Sequence, residues 1–206
     1  MRLGILVSGR GTNLEAVLDA VADGRLPDVE PTLVIANRHG IRALEVAARR
    51  GVRWRVLARA DFPDADARDA AVGGALAEAG CVLALLAGYD QLLRPPYFAA
   101  YSGRTINLHP SLLPRHGGRG MTGPAVHASV LAAGDAETGV TIHDVTEELD
   151  AGPPIVQVRI PVEAGESAAE LGERVLAVEH RTVVEVLARL SASMTAAPRA
   201  PVRLRR

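Results

Sequence analysis

The chain has 206 residues, a hydrophobic fraction of 48% and a formal net charge of -1. It is long enough for one large domain with a substantial core, and its balanced charge offers no global field to attract nucleic acid or an anionic membrane. The single cysteine, Cys81, excludes an intrachain disulfide and a cysteine metal site. No signal-peptide pattern and no apolar run of membrane-spanning length occurs, so a cytoplasmic protein is expected. All 23 basic residues are Arg, which, with the abundance of Ala, reads as codon bias rather than function.

Leu3 to Val7 is a short apolar run that reads as a buried parallel strand. Ser8-Gly9-Arg10-Gly11-Thr12-Asn13 follows at once. Leu14, Val17, Leu18 and Val21 then recur at helical spacing, with Gly24 as a stop. Strand, glycine loop and helix in this order offer backbone N–H groups to an anion, best a phosphate, and Thr12 and Asn13 add side-chain donors. The loop is not a full dinucleotide fingerprint. Leu14 stands at the third glycine position, and the next strand, Thr32 to Ala36, ends in Asn37 rather than an acidic residue. A monophosphate cradle and an ordinary tight turn both stay open on these residues alone.

Ile41 to Arg50 reads as a helix closed by Gly51. Arg53 to Leu57 reads as a strand in which Trp54 packs, and Asp64 to Ala79 as a helix after Phe62-Pro63. Cys81 to Ala87 is an unbroken apolar run, expected as a central strand with Cys81 as a core thiol. Gly88-Tyr89-Asp90-Gln91-Leu92-Leu93 is a loop at its end. Pro95-Pro96 opens a short helix to Tyr101, and Arg104 to Asn107 is a fifth strand. Strand and helix in alternation imply an α/β fold with a doubly wound, mostly parallel twisted sheet and helices on both faces.

The pattern then changes. Gly123-Pro124 opens a helix through Leu131. Thr138 to Val145 alternates, with Val140 and Ile142 on one face and Thr141 and His143 on the other. Pro154 to Ile160 is a second such strand, so the sheet gains an antiparallel C-terminal extension. Ser167 caps a long helix, with Glu170 completing a capping box, and the helix is expected to reach about Leu190. One domain is expected over 1–190, with a phosphate-binding half, 1–103, and a catalytic half, 104–190. The Ala-, Pro- and Arg-rich stretch 191–206 reads as a disordered tail.

The fifth strand delivers Asn107-Leu108-His109-Pro110-Ser111-Leu112-Leu113-Pro114, followed by Arg115-His116-Gly117-Gly118-Arg119-Gly120. A polar cluster at the end of an apolar strand is where open α/β sheets place their chemistry. Asn107 and His109, two apart, point the same way in a strand. An amide that stabilises an oxyanion and an imidazole that handles a proton suit acyl transfer. No Gly-x-Ser-x-Gly elbow is present, so Ser111 reads as a turn-capping hydroxyl. That favours direct attack by a substrate nucleophile over an acyl-enzyme. None of the six His stands in a His-x-x-x-His spacing, so no metal site is expected. His116 and His127 read as surface histidines, and His143 reads either way. Asp150, in a turn, reads on its own as structural.

These motifs resemble the folate-dependent formyltransferases over nearly the whole chain to about residue 190. Ser8-Gly9-Arg10-Gly11-Thr12-Asn13-Leu14 is similar to the family's N-terminal phosphate loop, and Ala87-Gly88-Tyr89 to its folate loop. Asn107 to Pro114 matches the family hallmark. Thr138-Gly139 with His143, then Leu149-Asp150-Ala151-Gly152-Pro153, then Glu179-His180, match later motifs in order. The resemblance implies formyl transfer from 10-formyltetrahydrofolate, as co-substrate and without a metal, to the amine of phosphoribosylglycinamide in purine synthesis. It implies Asn107, His109 and Asp150 as the catalytic set. Asn107 and a protonated His109 would hold the oxyanion, and Asp150 would raise the His109 pKa. Gly11, Thr12, Asn13 and Glu179 would bind the phosphate and ribose. Tyr89, Asp90, Gln91, Leu92, Leu93 and Asn107 would bind folate, with the pterin on backbone groups of that loop and of the turn before Asp150.

Two departures bear on folate. Asp90-Gln91 stands where the family commonly has Met-Arg, and Ala65 stands where it has an Arg, for which Arg68 is a candidate substitute. The segment Gly117 to Gly123 is longer than in the shorter members and is expected to shape the mouth of the cleft. Sister activities compete. A methionyl-tRNA formyltransferase would carry a further C-terminal domain, and a deformylase an N-terminal one. A transferase acting on an amino sugar nucleotide, or a silent folate or nucleotide binder, also fits the fold. The expected partners are small-molecule substrates, with neither nucleic acid nor membrane, in a monomer or homodimer.

Overall fold

The structure, a computed structural model, describes residues 1–196. Seven strands form one sheet: β1 (Arg2–Val7), β2 (Glu30–Ala36), β3 (Trp54–Val56), β4 (Leu83–Leu86), β5 (Arg104–His109), β6 (Glu137–Asp144) and β7 (Pro154–Pro161). Their spatial order is β3-β2-β1-β4-β5-β6-β7. The first five run parallel, and β6 and β7 add antiparallel pairs. The expected doubly wound sheet with an antiparallel extension is the fold observed.

Side-chain alternation explains why helices cover both faces. On β1, Leu3, Ile5 and Val7 enter one core with Leu83, Leu85 and Ala87 after and along β4, whereas Leu6 enters another with Ala84 and Leu86. The first core lies under α1 (Thr12–Ala22), α2 (Arg42–Arg49), α5 (Pro124–Ala132) and α6 (Ala168–Ala196). The second lies under α3 (Ala65–Glu78) and α4 (Pro95–Ala100) and contains Tyr89, Tyr97 and Tyr101. Gly4 makes the second packing possible, because a Cβ there would lie 2.2 Å from Leu76 Cδ2. Cys81 is buried in this core, and burial pushes its thiol up, as an inert core cysteine requires.

Capping marks the helix starts. Asp64 Oδ1 accepts the Ala67 N–H at 2.7 Å, and Ser167 with Glu170 forms the expected box, Glu170 Oε2 accepting the Ser167 N–H at 2.8 Å.

Four expectations change. The hairpin strand β6 is buried on both faces, Thr138, Thr141 and His143 included, because α6 covers one side and the loop after β5 the other. Trp54 is 47% exposed, since β3 is the sheet edge and offers no neighbour to pack on. The fifth strand runs two residues further than expected, through His109, because β6 pairs with it that far. The last helix continues past Leu190 to Ala196: Ser191 is buried, and the hydroxyls of Ser191 and Ser193 return to the carbonyls of Ala188 and Leu190. Ala-rich sequence propagates a helix readily, so residues 191–196 belong to the helix and not to a tail. The remainder of the expected tail, 197–206, lies outside the described residues.

Candidate functional site

The candidate site is built where β5 meets β6. Antiparallel pairing sets Asn107 opposite His143 and His109 opposite Thr141. The bidentate Arg104–Asp144 ion pair, with contacts of 2.6 and 2.9 Å, fixes that register at the strand start. His143 Nδ1 lies 2.9 Å from the Asp144 carbonyl, which can only accept, so Nδ1 carries the proton. Nε2 is then a bare acceptor, and Asn107 Nδ2 donates to it at 3.1 Å. This chain fixes the Asn107 amide orientation and leaves its second N–H free.

The same logic assigns His109, which is 4% exposed. Its Nε2 donates to the His116 carbonyl at 2.9 Å. Nδ1 is therefore the nitrogen available for proton exchange, and it faces Asp150 Oδ2 at 3.9 Å. Asp150 Oδ1 lies 3.8 Å from His143 Nε2. The structure thus brings Asn107, His109 and Asp150 together and adds His143, which the sequence left open. The motif resemblance had included His143 without giving it a role; its register opposite Asn107, visible only once the strands are paired, shows what it touches.

The electrostatics differ from expectation. Burial pulls the His109 pKa below the ordinary imidazole value. The His116 carbonyl and the Asp150 carboxylate pull it up, His143 and the His116 ring pull it down, and burial prevails. Burial thus favours the neutral imidazole over the protonated form that the resemblance implied. Asp150 acts in the expected direction without deciding the outcome.

The loop after β5 closes the site from above. His116 has φ +55°, as does Asp150, both uncommon for residues bearing a Cβ. Gly118 N–H donates to Asp150 Oδ2 at 2.8 Å, and a Cβ at Gly117 would press on Leu113 and Asp150. The Gly117-Gly118 pair therefore lets backbone approach the carboxylate. His116 is not a surface residue: its side chain is 10% exposed and meets Ser129 and Asp135. His127 is also buried, under α6 beside Gly172, and burial lowers its pKa. Ser111 Oγ donates to the Arg115 carbonyl at 2.7 Å, the turn-capping role expected.

The glycine loop stands at the point where strand order reverses, between β1 and β4. Gly11 is left-handed at φ +72°, and a Cβ there would lie 2.7 Å from the Ala43 Cα, so α2 packs directly on the loop. No side chain caps α1 among the described residues, which leaves the N–H groups of its first turn outward. Asn13 Nδ2 donates to Glu179 Oε2 at 3.0 Å, across 166 residues of sequence. Burial raises the Glu179 pKa to about 7, against the Asn13 bond and the charge of Arg10. Asn13 Oδ1 is buried without a partner. A ligand hydroxyl would satisfy it.

The loop after β4 lies beside this one, and β4 pairs Leu86 with Asn107. Asp90 N–H donates to Ser8 Oγ at 3.0 Å, joining the two loops. The departure Asp90-Gln91 is a network. Asp90 accepts from Asn37 Nδ2 at 2.6 Å, from Arg38 and from Gln91 Nε2 at 2.9 Å. Gln91 Oε1 accepts from Arg68 Nη1 at 2.8 Å. Arg68 is 2% exposed and paired with the fully buried Asp69, so it holds the loop from beneath. The reading of Arg68 as a substitute folate contact gains no support from this placement. Leu93 is likewise a core residue, while Leu92 is 40% exposed. The Tyr89 hydroxyl is buried without a partner, and burial raises its pKa to about 12.

Among the described residues, no helix is long and apolar enough to cross a membrane.

Known proteins resemble this chain over most of its length. The model of the formyl transferase family matches residues 1–187. A phosphoribosylglycinamide formyltransferase of Escherichia coli strain K12 is 34% identical over 180 residues, covering 87% of this chain and 82% of that protein. The trifunctional purine biosynthetic protein adenosine-3 of Drosophila pseudoobscura pseudoobscura is 36% identical over 191 residues, 92% of this chain, and the chain spans 14% of its length. A crystal structure of glycinamide ribonucleotide transformylase 1 from Symbiobacterium toebii superposes with a TM-score of 0.87 at 38% identity, covering 94% of this chain and 88% of that one. With the family model matched over residues 1–187 and relatives more than 30% identical over most of the chain, the chain belongs to the formyl transferase family.

Proposed function

We propose that the protein transfers the formyl group of 10-formyltetrahydrofolate to the amine of phosphoribosylglycinamide, and that it does so in the cytoplasm. The observation that carries this reading is the convergence of Asn107, His109 and Asp150 at one strand end, in a chain whose relatives are named for that reaction. The acceptor's phosphate rests on the uncapped start of α1, with Gly11, Thr12 and Asn13. Its ribose meets Glu179 and the unpartnered Asn13 Oδ1. The co-substrate lies along Tyr89 to Leu92 and Asn107, where the open edge of the loop after β4 adjoins the catalytic strand.

The acceptor amine attacks the formyl carbon directly. The free N–H of Asn107 donates to the oxygen on which negative charge develops. Neutral His109 takes the amine proton at Nδ1, and the imidazolium so formed is held by Asp150 on one side and the His116 carbonyl on the other. The same Nδ1–H then passes to the departing folate nitrogen, so one imidazole serves both steps. A neutral resting His109 suits this order, because a base must be free before it can accept.

A steady-state assay with both substrates, following release of tetrahydrofolate, tests the reading. Release only when phosphoribosylglycinamide is present is expected. Equal release in its absence would mean deformylation, and no release with folate still bound would mean a binder. A sugar-nucleotide amine in place of the glycinamide is expected to give none.

A further inference from the structure

We infer that His116 is a positioning residue: its ring, clasped by Ser129 and Asp135, holds the backbone so that its carbonyl and the Gly118 N–H fix His109 and Asp150 against each other. The inference rests on the catalytic reading above.

The geometry has three parts. First, His116 Nε2 donates to Asp135 Oδ2 at 2.8 Å, and Nδ1 lies 2.8 Å from Ser129 Oγ. Both ring nitrogens are used, and ring and carboxylate are each about nine-tenths buried. Asp135 also takes the Arg115 guanidinium, so two consecutive loop residues are tied to the end of α5. Second, residue 116 sits in the left-handed region, which a side chain with a Cβ adopts only when its surroundings enforce it. The clasp is that enforcement. Third, the turn points the two backbone groups that follow at the two members of the candidate catalytic pair. The His116 carbonyl accepts from His109 Nε2, and two residues on the Gly118 N–H donates to Asp150 Oδ2.

The consequence is a choice of tautomer. A neutral imidazole has one proton to place. The fixed carbonyl draws it to Nε2 and leaves Nδ1 bare toward Asp150 and the reacting groups. Were the carbonyl to move away, the proton would settle at Nδ1, beside the carboxylate, and the ring could not accept a proton from an amine there. Both nitrogens of the clasp ring are spent on Ser129 and Asp135, which leaves neither for a substrate. The ring acts only through the loop, and so governs turnover more than binding.

The test uses the full chain with His116→Gly, which retains the left-handed backbone but removes the clasp, and with Asp135→Ala and Asp135→Asn. In His116→Gly and Asp135→Ala, kcat is expected to fall roughly 10- to 100-fold, as for a misplaced catalytic group, with KM for both substrates little changed. Nitrogen NMR of the His109 ring is expected to show protonated Nδ1 replacing protonated Nε2. Asp135→Asn keeps an oxygen that accepts from His116 and is expected to recover most of the activity. An unchanged His109 tautomer with near-normal kcat in both His116→Gly and Asp135→Ala would overturn the inference. His109→Ala separates the two levels. If it is inactive while the clasp variants behave as wild type, the clasp alone is refuted. If it turns over normally, the catalytic reading fails and the inference with it.

Discussion

At the scale of single residues, the chemistry turns on which atoms are already engaged. His109 has one ring nitrogen tied to a backbone carbonyl and one bare, and Asn107 has one amide N–H tied to His143 and one free. His109→Ala is expected to lower turnover by about 10²–10⁴, the usual worth of a positioned acid–base group, without loss of folding. Steady-state kinetics with a thermal melt checks both. Asp150→Asn removes an upward pull on the His109 imidazole, so its NMR titration is expected to move further down; an unmoved titration would show that the two do not interact in solution. Glu179 titrates with the opposite sign. Its folded pKa, about 7, lies above the ordinary 4.5, so the folded state holds the proton more tightly. Its stabilising contribution is full below pH 4.5 and is lost as pH rises through 7. Glu179→Gln is therefore expected to leave the melting temperature unchanged near pH 4 and to raise it at pH 8. A difference that does not grow with pH would contradict a buried, reluctantly ionised Glu179.

At the scale of elements, what was legible in the sequence was what is local. The capping box at Ser167 and Glu170 is three residues apart and appeared where expected, because its partners are fixed by helix geometry. The glycine loop was legible for the same reason. Gly11→Ala is expected to cost about 2 kcal/mol or more, since it adds a left-handed penalty to a clash with Ala43; urea unfolding reads the loss. Non-local partners were not legible. Arg68 meets Gln91 across 23 residues, and His116 meets Asp135 across 19, and nothing in their own neighbourhoods announces either contact. Burial of β6 on both faces was hidden for a related reason. Its polar residues Thr141 and His143 alternate with Val140 and Ile142 as if one side met water, while Thr141 is spent on Ser111, Leu113 and Gln157 instead.

At the scale of the whole molecule, strand order places two loops at the point where the winding reverses and sets β5, the strand of the candidate site, next to them. The alternation of elements was enough to anticipate that sheet. It was not enough to bring Asp150 to His109, 41 residues away, which the motif resemblance implied and the folded chain bears out as a distance. Several histidines titrate with the fold as one. Burial lowers the pKa of His109, His127 and His180, so each binds its proton more readily in the unfolded chain. Their contribution is present above pH 6.5 and is lost as pH falls below it. His127→Gln is expected to make the fall in melting temperature between pH 7 and pH 5 shallower, and an unchanged fall would contradict a buried, reluctantly protonated His127.

The central claim is that this strand end moves a formyl group onto an amine, with His109 carrying the proton. The most direct test supplies 10-formyltetrahydrofolate labelled in its formyl carbon, together with phosphoribosylglycinamide, and follows the label by mass spectrometry in wild type and His109→Ala. The label is expected in the glycinamide product with wild type, and at a rate lower by orders of magnitude with the variant. Label released as free formate, or equal transfer by both proteins, would contradict the account.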